Sequence, residues 1–207
     1  NTARPLFERF VGGESAVMFA YGMTNAGKTY TIQGAKEAPG TMPLLVEAVM
    51  SHLISTGSSE WYLNISMLEI YQEKIYDLLS EKKKKEKLNI RDGNGRVEVM
   101  GLSQHPIGSA DDAIELMDVA MSRRAAGKTH LNTGSSRSHA VYSLTLSQYA
   151  DGREIKSEFQ VVDLAGAERG KRTNGNTSQQ REANNINMSL MQLWRCLQAM
   201  GRRGHSA

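Results

Sequence analysis

The sequence predicts an α/β fold whose central sheet carries helices on both faces. Segments with strand character alternate with segments of helical period along the chain, which is the pattern of such a fold. In addition, one apolar strand-like run leads through a glycine-bearing loop directly into a helix-like segment. The 207 residues, 40% of them hydrophobic, have the size and composition of one globular domain.

The composition excludes several classes of protein. The net charge of +3 is small. The sequence pI near 9.0 is a mild hint of acidic partners and falls well short of a nucleic-acid-binding signature. The one cysteine, Cys196, permits no disulfide within the chain and predicts a reducing interior compartment. The sequence has no run of about 18 apolar residues, so we expect no membrane span. The first residues lack the order of a signal peptide, and both abrupt ends predict an excerpt of a longer protein.

The first quarter of the chain is predicted to fold as a strand followed by two helices. Gly12 and Gly13 interrupt the chain, and the apolar run SAVMFAY (residues 15–21) then predicts a strand. KTYTIQG (residues 28–34) opens a helix directly after the glycine loop. Residues 41–55 predict a second helix, because their apolar side chains recur with helical period at 44, 45, 48, 49, 53 and 54.

The middle of the chain is predicted to be mostly strands. WYLNISMLEIY (residues 61–71) alternates like a strand, whereas EKIYDLL (residues 73–79) is predicted as one or two helical turns. Residues 80–87 form a charged loop. Residues 88–102 predict two short strands around an Asp-Gly/Asn-Gly turn.

The second half is predicted as helix, hairpin and helix. Ser109 caps a helix that has acids in its first turn and arginines in its last, both favourable to the helix dipole. Residues 139–166 then form two strands around the turn Asp151-Gly152. Residues 177–200 predict a long helix.

Three motifs carry the chemistry, and the first is G-x-x-x-x-G-K-T. Gly22 and Gly27 allow backbone N–H groups to turn toward phosphate oxygens. Lys28 places a charge on the β- and γ-phosphates, and the Thr29 hydroxyl can bind Mg²⁺. The following helix points its positive end at the same anion.

The other two motifs are NTGSSRSH (residues 132–139) and DLAGAE (residues 163–168). The hydroxyls of the former could meet a metal and the γ-phosphate, as switch loops do, although an ordinary solvated loop has the same composition. In the latter, an Asp at the end of an apolar strand followed by a flexible Gly is the Walker-B arrangement with a γ-phosphate sensor. The alternative is an ordinary Asp that ends a strand.

Taken in order, the three motifs resemble those of the kinesin motor domain. MLEIYQEKIYDLL (residues 67–79) and REANNINMSL (residues 181–190) are similar to further kinesin segments, and His139 favours kinesin over myosin. The resemblance covers residues 1–207 and implies a P-loop NTPase head, incomplete at both ends. It also implies a central, mostly parallel β-sheet flanked by helices on both faces.

The resemblance implies a site for ATP or ADP with Mg²⁺. Arg137 and Glu168 would form the salt bridge that closes the two switch loops, and the Gly166 N–H would contact the γ-phosphate. The implied catalytic residues are Asn132, Ser135, Arg137, Gly166 and Glu168. The implied Mg²⁺ ligands, some acting through water, are Thr29, Ser136 and Asp163. The implied nucleotide-binding residues are Gly22, Met23, Thr24, Asn25, Ala26, Gly27, Lys28, Thr29, Tyr30 and Arg124. For Tyr30 and Arg124 the alternatives are a helix-surface aromatic and a helix-end cation.

The resemblance also implies microtubules as the partner, because tubulin is acidic and basic residues follow the third motif. The implied microtubule-binding residues are Arg169, Lys171, Arg172, Arg181, Arg202 and Arg203, with ordinary surface charges as the alternative. The separate run Lys82–Lys85 with Lys87 is interpreted as a solvated loop rather than a tether to tubulin tails.

The chain departs from the family pattern at three positions: Ala167 replaces a usual Ser, Met188 a frequent Lys, Thr or Gln, and Trp194 a common Gly. The N-terminal strand with the adenine-contacting motif and the C-terminal helices with the neck are expected outside these residues. Segment similarity favours the mitotic kinesin-like group, kinesin family six. It implies a cytoplasmic, microtubule-associated protein, working at the spindle midzone in cytokinesis, and a homodimer formed by a coiled coil outside this chain.

The main alternative function is a tubulin-binding kinesin-like protein that does not hydrolyse ATP productively. The presence of all the implied catalytic residues argues against it. A P-loop kinase or GTPase is a third alternative, but its switch loops would differ and no guanine-recognition motif occurs.

Overall fold

The protein is described by a computed structural model. The description covers residues 3–35, 37–57, 60–82, 86–93, 96–126, 137–150, 152–167 and 177–203. Side chains are described for most of these positions; within the last helix they are described for residues 185–198.

Helices and strands alternate along the chain, as the sequence predicts. The helices are α1 (Arg4–Val11), α2 (Lys28–Gln33), α3 (Thr41–Ser55), α4 (Ala110–Ala126) and α5 (Thr177–Arg203). The strands are β1 (Ala16–Ala20), β2 (Gly34–Ala35), β3 (Ala38–Pro39), β4 (Trp61–Tyr71), β5 (Lys74–Asp77), β6 (Lys87–Gly93), β7 (Arg96–Met100), β8 (His105–Pro106), β9 (His139–Ala150) and β10 (Arg153–Asp163).

Eight of the strands form one sheet in the order β1-β10-β9-β4-β5-β6-β7, with β8 paired to β4. The expectation of a mostly parallel sheet is wrong for the described residues, because only β1 and β10 pair in parallel. For the pairs β4–β5, β6–β7 and β9–β10 the physical reason is the shortness of the connections. A tight hairpin at Gly152 joins β9 to β10, and parallel neighbours need a crossover of a dozen residues or more.

The prediction of helical turns in residues 73–79 is also wrong. Gln72 and Glu73 adopt positive φ angles of 49° and 59° and form a tight turn. This turn folds β5 back onto β4, where Ile70 pairs with Ile75. Local helix propensity in this segment is overridden by the pairing of β5 with strands on both sides. The short helix α1 was not predicted, and its Phe10 packs edge-to-face on Phe159 of β10.

The two faces of the sheet carry different helices. Tyr142, Leu144 and Leu146 of β9 point into the main core, which also contains buried residues of α1, α2, α3 and α4. His139 lies on the opposite face of the same strand, because side chains alternate, and it bonds Ser189 of α5. The predicted helices on both faces are therefore confirmed. None of the described helices combines the length and apolarity needed to cross a membrane.

The helix predicted at residues 41–55 is confirmed, but its buried face differs from the one that periodicity selected. Leu44 and Ile54 are exposed, whereas a neighbouring stripe of apolar residues is buried. That stripe consists of Met42, Leu45, Val46, Val49, Met50 and Leu53. Since apolar residues surround most of this helix, the sequence pattern alone does not define which side meets the core.

Candidate nucleotide-binding site

The predicted phosphate loop lies where a strand–loop–helix unit places it, between β1 and α2. Gly27 has a φ angle of 84°, in the left-handed region that glycine adopts without strain. Asn25 also has a positive φ, of 63°, which asparagine tolerates better than most residues. The Lys28 ammonium donates hydrogen bonds of 2.9 Å to the carbonyls of Gly22 and Met23, so it lies across the loop.

The loop and the DLAGAE segment are brought together by the parallel pairing of β1 and β10. Ala20 pairs with Asp163, so both strands end at the same edge of the sheet. Beyond the strands, the Ala167 N–H donates to the Gly22 carbonyl at 3.1 Å. The Thr29 hydroxyl donates to Asp163 Oδ2 at 2.7 Å. Two of the three predicted Mg²⁺ ligands, which are 134 residues apart in sequence, are therefore in direct contact.

Asp163 belongs to a buried row of side chains that crosses three strands. Glu69 of β4 pairs with Ala140 of β9, which pairs with Asp163 of β10, so all three lie on one face. Arg124 from the last turn of α4 lies over this row. Its guanidinium donates to Asp163 Oδ2 at 2.8 Å and approaches Glu69 at 3.9 Å. The small Ala140 between the two carboxylates leaves space for the arginine to bridge them.

The charges in this row are almost completely removed from solvent. Arg124 and Asp163 are each 1% exposed and Glu69 is 3% exposed. Arg124 is further held by Ser138, whose hydroxyl accepts from Nε at 3.2 Å and whose carbonyl accepts from Nη2 at 2.7 Å. Since an unpaired buried charge is costly, this network fixes the position of Asp163.

His139, beside Ser138, makes a second set of contacts on the other face of the sheet. Its Nδ1 accepts from the backbone N–H of Ala165 at 3.1 Å, and its Nε2 lies 3.0 Å from the Ser189 hydroxyl. Burial, followed by the charge of Arg124, lowers the pKa of His139 below its usual value. A neutral ring is what the Ala165 bond requires, because Nδ1 must carry a lone pair.

The oxygen donors of the site fit Mg²⁺. Asp163 Oδ1 is buried and has no hydrogen-bond partner within the described structure, so it is available to a cation or to its water shell. The Thr29 hydroxyl lies beside the same carboxylate. No group of three or more His, Cys, Asp or Glu side chains suited to a metal occurs among the described residues. Magnesium would bind through these two protein groups and the predicted ligand Ser136, together with phosphate oxygens and water, as it commonly does.

The remaining predicted site residues fall into three groups. Tyr30 is 59% exposed on α2 beside the loop, accessible to a base. Gly166 lies between Ala165 and Ala167, whose N–H groups bond His139 and the Gly22 carbonyl. Arg137 lines a groove with His139 and Ser189. Asn132, Ser135, Ser136 and Glu168 lie outside the described residues. Their roles stay predictions. Arg124 is bonded to Asp163 in the interior, so the structure gives it a positioning role, and its contact with nucleotide stays a prediction.

The predicted microtubule-binding residues are not placed in detail. Arg181, Arg202 and Arg203 fall within α5, and the other three lie outside the described residues: Arg169, Lys171 and Arg172. Of the separate basic run, Lys82 is exposed and forms a 2.6 Å ion pair with Glu86, which agrees with its interpretation as a solvated loop.

Sequence reasoning missed the residues that support the site from distant elements. Glu69, Ser138 and Ser189 were not selected, and His139 was used only to distinguish families. A carboxylate inside the apolar strand MLEIY is the one signal that could have drawn attention to Glu69, since buried acids are rare without a partner.

A glycine loop between strand and helix, with an Asp from the adjacent parallel strand bonded to the loop Thr, defines a P-loop nucleotide-binding fold. The chain belongs to the kinesin motor-domain family, whose family model matches residues 1–207. The predicted family and its P-loop head fold are thereby confirmed.

Individual relatives agree with this assignment. The chain is 39% identical to the kinesin-like protein KIN-8B of Arabidopsis thaliana over 197 residues, which cover 93% of this chain and 24% of that protein. It is 33% identical to the chromosome-associated kinesin KIF4A of Homo sapiens over 213 residues, covering 97% of this chain and 17% of that protein. The chain thus spans about a quarter of these curated relatives or less.

Solved structures share the fold. KIF14 with ADP in complex with a microtubule matches with a TM-score of 0.87 at 32% identity, over 99% of this chain and 61% of that chain. A fast kinesin, whose structure was discussed for its ATPase mechanism and interactions with microtubules, matches with a TM-score of 0.79 at 32% identity. That match covers 89% of this chain and 54% of the other.

Proposed function

We propose that this chain belongs to the ATP-hydrolysing head of a microtubule-dependent motor. The observation that carries the proposal is the Thr29–Asp163 contact of 2.7 Å at the mouth of the phosphate loop. It joins the loop to the strand end that leads to the predicted γ-phosphate sensor. Similarity to KIF14, solved with ADP or AMP-PNP in complex with a microtubule, supports both the nucleotide and the partner.

The residues divide the chemistry of phosphoryl transfer between positioning and charge neutralisation. Lys28 would neutralise the β- and γ-phosphates, and Tyr30 would lie against the base. Thr29 and Asp163 would hold Mg²⁺, which supplies further neutralisation of the phosphate charge. Gly166 would donate its N–H to the γ-phosphate while its neighbours are held by His139 and Gly22. No covalent intermediate is involved.

Arg137 and Glu168 would close the site by a salt bridge between the two switch loops. Such a pair can join and separate as the γ-phosphate comes and goes. The basic residues that follow Glu168, together with those in α5, would face the acidic surface of the microtubule. Hydrolysis would thereby be coupled to attachment.

The test is the ATPase rate of the full-length protein with and without microtubules. Microtubules should stimulate the wild type, and Lys28→Ala should lower turnover by about 100-fold or more, since it removes a fixed positive charge at the transferring phosphate. Lys156→Ala serves as the control, because Lys156 is an exposed lysine on β10, and it should keep wild-type turnover.

A second variant tests the switch. Glu168→Ala should still bind ATP but should not hydrolyse it, whereas normal turnover would refute the salt-bridge assignment. Microtubule binding without any stimulated hydrolysis by the wild type would contradict the motor proposal and support a tubulin-binding protein instead.

The finer biological assignment rests on segment similarity alone. We infer a cytoplasmic role on spindle microtubules in the manner of kinesin family six, and a homodimer held by a coiled coil elsewhere in the protein. The localisation of a fluorescent fusion protein tests this assignment. Absence of the fusion from the spindle midzone during cytokinesis would refute it.

A further inference from the structure

Helix α2, which follows the phosphate loop, is bonded to the sheet at two points one helical turn apart. Near its start, the Thr29 hydroxyl donates to Asp163 Oδ2 of β10 at 2.7 Å. At its last residue, the Gln33 side-chain amide donates to the Tyr142 hydroxyl of β9 at 2.7 Å. Residues four apart share one face of a helix, so both bonds leave α2 on the side that meets the sheet. The first bond joins two predicted Mg²⁺ ligands, whereas the second joins two residues with no role in the site so far.

The backbone places Gln33 for its contact. Gly34 ends α2 with a φ angle of 77°, which favours glycine. A Cβ on Gly34 would also lie 2.2 Å from the Ala38 carbonyl oxygen, so no larger residue fits there. The Gln33 carbonyl accepts from the Gly40 N–H at 3.1 Å. The end of the helix, and with it the starting point of the Gln33 side chain, is therefore fixed by the turn that follows.

The Tyr142 hydroxyl is an equally fixed acceptor. Tyr142 is 1% exposed and lies two residues from Ala140, on the same face of β9, where the buried charged row crosses the strand. Its hydroxyl accepts from the Arg124 guanidinium as well as from Gln33. Burial raises the pKa of this hydroxyl, so it keeps its proton, which it donates to Met121 Sδ at 3.8 Å.

The two attachments of α2 share one buried cation. Arg124 donates to Asp163 Oδ2 at 2.8 Å and also to the Tyr142 hydroxyl. Thr29 donates to the first of these acceptors and Gln33 to the second. One bond restrains the position of the helix start, and a second bond one turn along also restrains the direction of the helix axis. The arginine therefore holds both acceptors that orient α2.

We propose that Gln33 and Tyr142 are positioning residues that direct α2, and with it Lys28 and Thr29, toward the phosphates and Mg²⁺ of the bound nucleotide. The direction of α2 matters because small displacements of a positioned group cost much of its effect on a reacting phosphate. The inference rests on the proposed function, since it assumes that Mg²⁺-nucleotide binds at this loop. It adds that part of the nucleotide affinity comes from a bond at the opposite end of α2.

The experiment compares Gln33→Met and Tyr142→Phe with the wild type in the full-length protein. Each substitution keeps the approximate size of the side chain and removes the bond between them. Direct titration with Mg²⁺-ADP and Mg²⁺-AMP-PNP should show binding weaker by about fivefold or more in either variant, because Lys28 and Thr29 are then misaligned. The Mg²⁺ concentration that gives half-maximal basal turnover should rise as well. A role in stability alone would change neither quantity in the folded protein.

Two comparisons isolate the bond. Gln148→Met is the matched control, because Gln148 of β9 also donates from a partly buried amide, to the Val11 carbonyl at 3.0 Å, and it should keep wild-type affinity. Gln33→Met should have no further effect in a protein that already carries Tyr142→Phe, since both changes remove the same bond. Gln33→Met leaves the Tyr142 hydroxyl its other partners, so its unfolding midpoint should stay near that of the wild type.

Each outcome decides the proposal. Wild-type nucleotide affinity in Gln33→Met overturns it, whatever Tyr142→Phe does to folding. Effects of the two substitutions that add in the double variant also overturn it. In both cases the proposed function stands if the wild type binds ATP and microtubules stimulate its turnover. A wild type that binds no Mg²⁺-nucleotide refutes the proposed function and this inference with it.

Discussion

The phosphate loop and the buried charged row solve the same problem, the placement of charge, in opposite ways. The loop is a continuous stretch of chain that carries one partly exposed lysine. The row assembles Glu69, Arg124 and Asp163 from three elements and excludes water from all of them. The loop can accept a ligand because it is open, and Asp163 keeps its position beneath the loop because the row is closed.

The difference teaches that function and stability are separated within one site. Changing the loop should affect turnover and leave folding intact, since the bonds of Lys28 within the described part of the chain go to nearby loop carbonyls. Changing the row should affect folding first, because each removed partner leaves a buried charge uncompensated.

The largest effect is expected from a substitution that disrupts the buried row of Glu69, Arg124 and Asp163. Arg124→Met keeps the volume of the side chain but leaves the Glu69 and Asp163 carboxylates buried without their cation. We expect the free energy of unfolding to fall by about 3–5 kcal/mol. Denaturant unfolding of the full-length protein measures it, with Arg91→Met as the matched control.

The control makes the comparison sharp because it is the same substitution in an exposed ion pair. Arg91 lies 2.7 Å from Glu98 across β6 and β7, and both side chains are more than half exposed. Its loss should cost about 1 kcal/mol or less. If Arg124→Met and Arg91→Met prove equally mild, burial of the row does not stabilise the fold.

The same contrast explains what could be predicted from the sequence. The phosphate loop, the capped helix α4 and the β9–β10 hairpin were predicted correctly because residues close in sequence determine them. The row was missed because Glu69, Arg124 and Asp163 meet only after three strands have paired in one register. The helical prediction for residues 73–79 failed for the same reason, since β5 owes its conformation to its neighbours β4 and β6.

The second expected effect concerns the neutral ring of His139 and appears as a dependence of stability on pH. The pKa of His139 is lowered from 6.5 by burial and by Arg124, so the unfolded chain binds its proton more readily than the folded one. The stabilisation that comes from keeping His139 neutral is fully present above the pKa of the unfolded chain, about 6.5. It is lost as the pH falls from there through the lowered pKa of the folded state. One proton changes the free energy of unfolding by up to about 1.4 kcal/mol for each pH unit in that window.

Unfolding of the wild type and of His139→Asn, followed at several pH values between about 7.5 and 5, measures this term. Asparagine can replace the acceptor at Nδ1 but does not titrate. The variant should therefore lose less stability than the wild type over this range, and parallel curves would show that the ring is not held neutral in the folded protein.

The smallest effect is expected from a substitution at the start of α4, the helix that carries Arg124 to the row. Ser109 and Asp112 form a reciprocal cap: the Asp112 N–H donates to the Ser109 hydroxyl at 3.1 Å, and Asp112 Oδ2 accepts from the N–H groups of Gly108 and Ser109. These hydrogen bonds, first that from Gly108, lower the pKa of Asp112. Ser109→Ala should cost about 1 kcal/mol of unfolding free energy, well below the cost of Arg124→Met.

Because the cap lies about four turns from Arg124, its loss should unwind the first turn of α4 without moving the guanidinium. Turnover stimulated by microtubules should therefore stay at the wild-type level, and a loss of turnover as large as that of Lys28→Ala would show that the row depends on the far end of its helix.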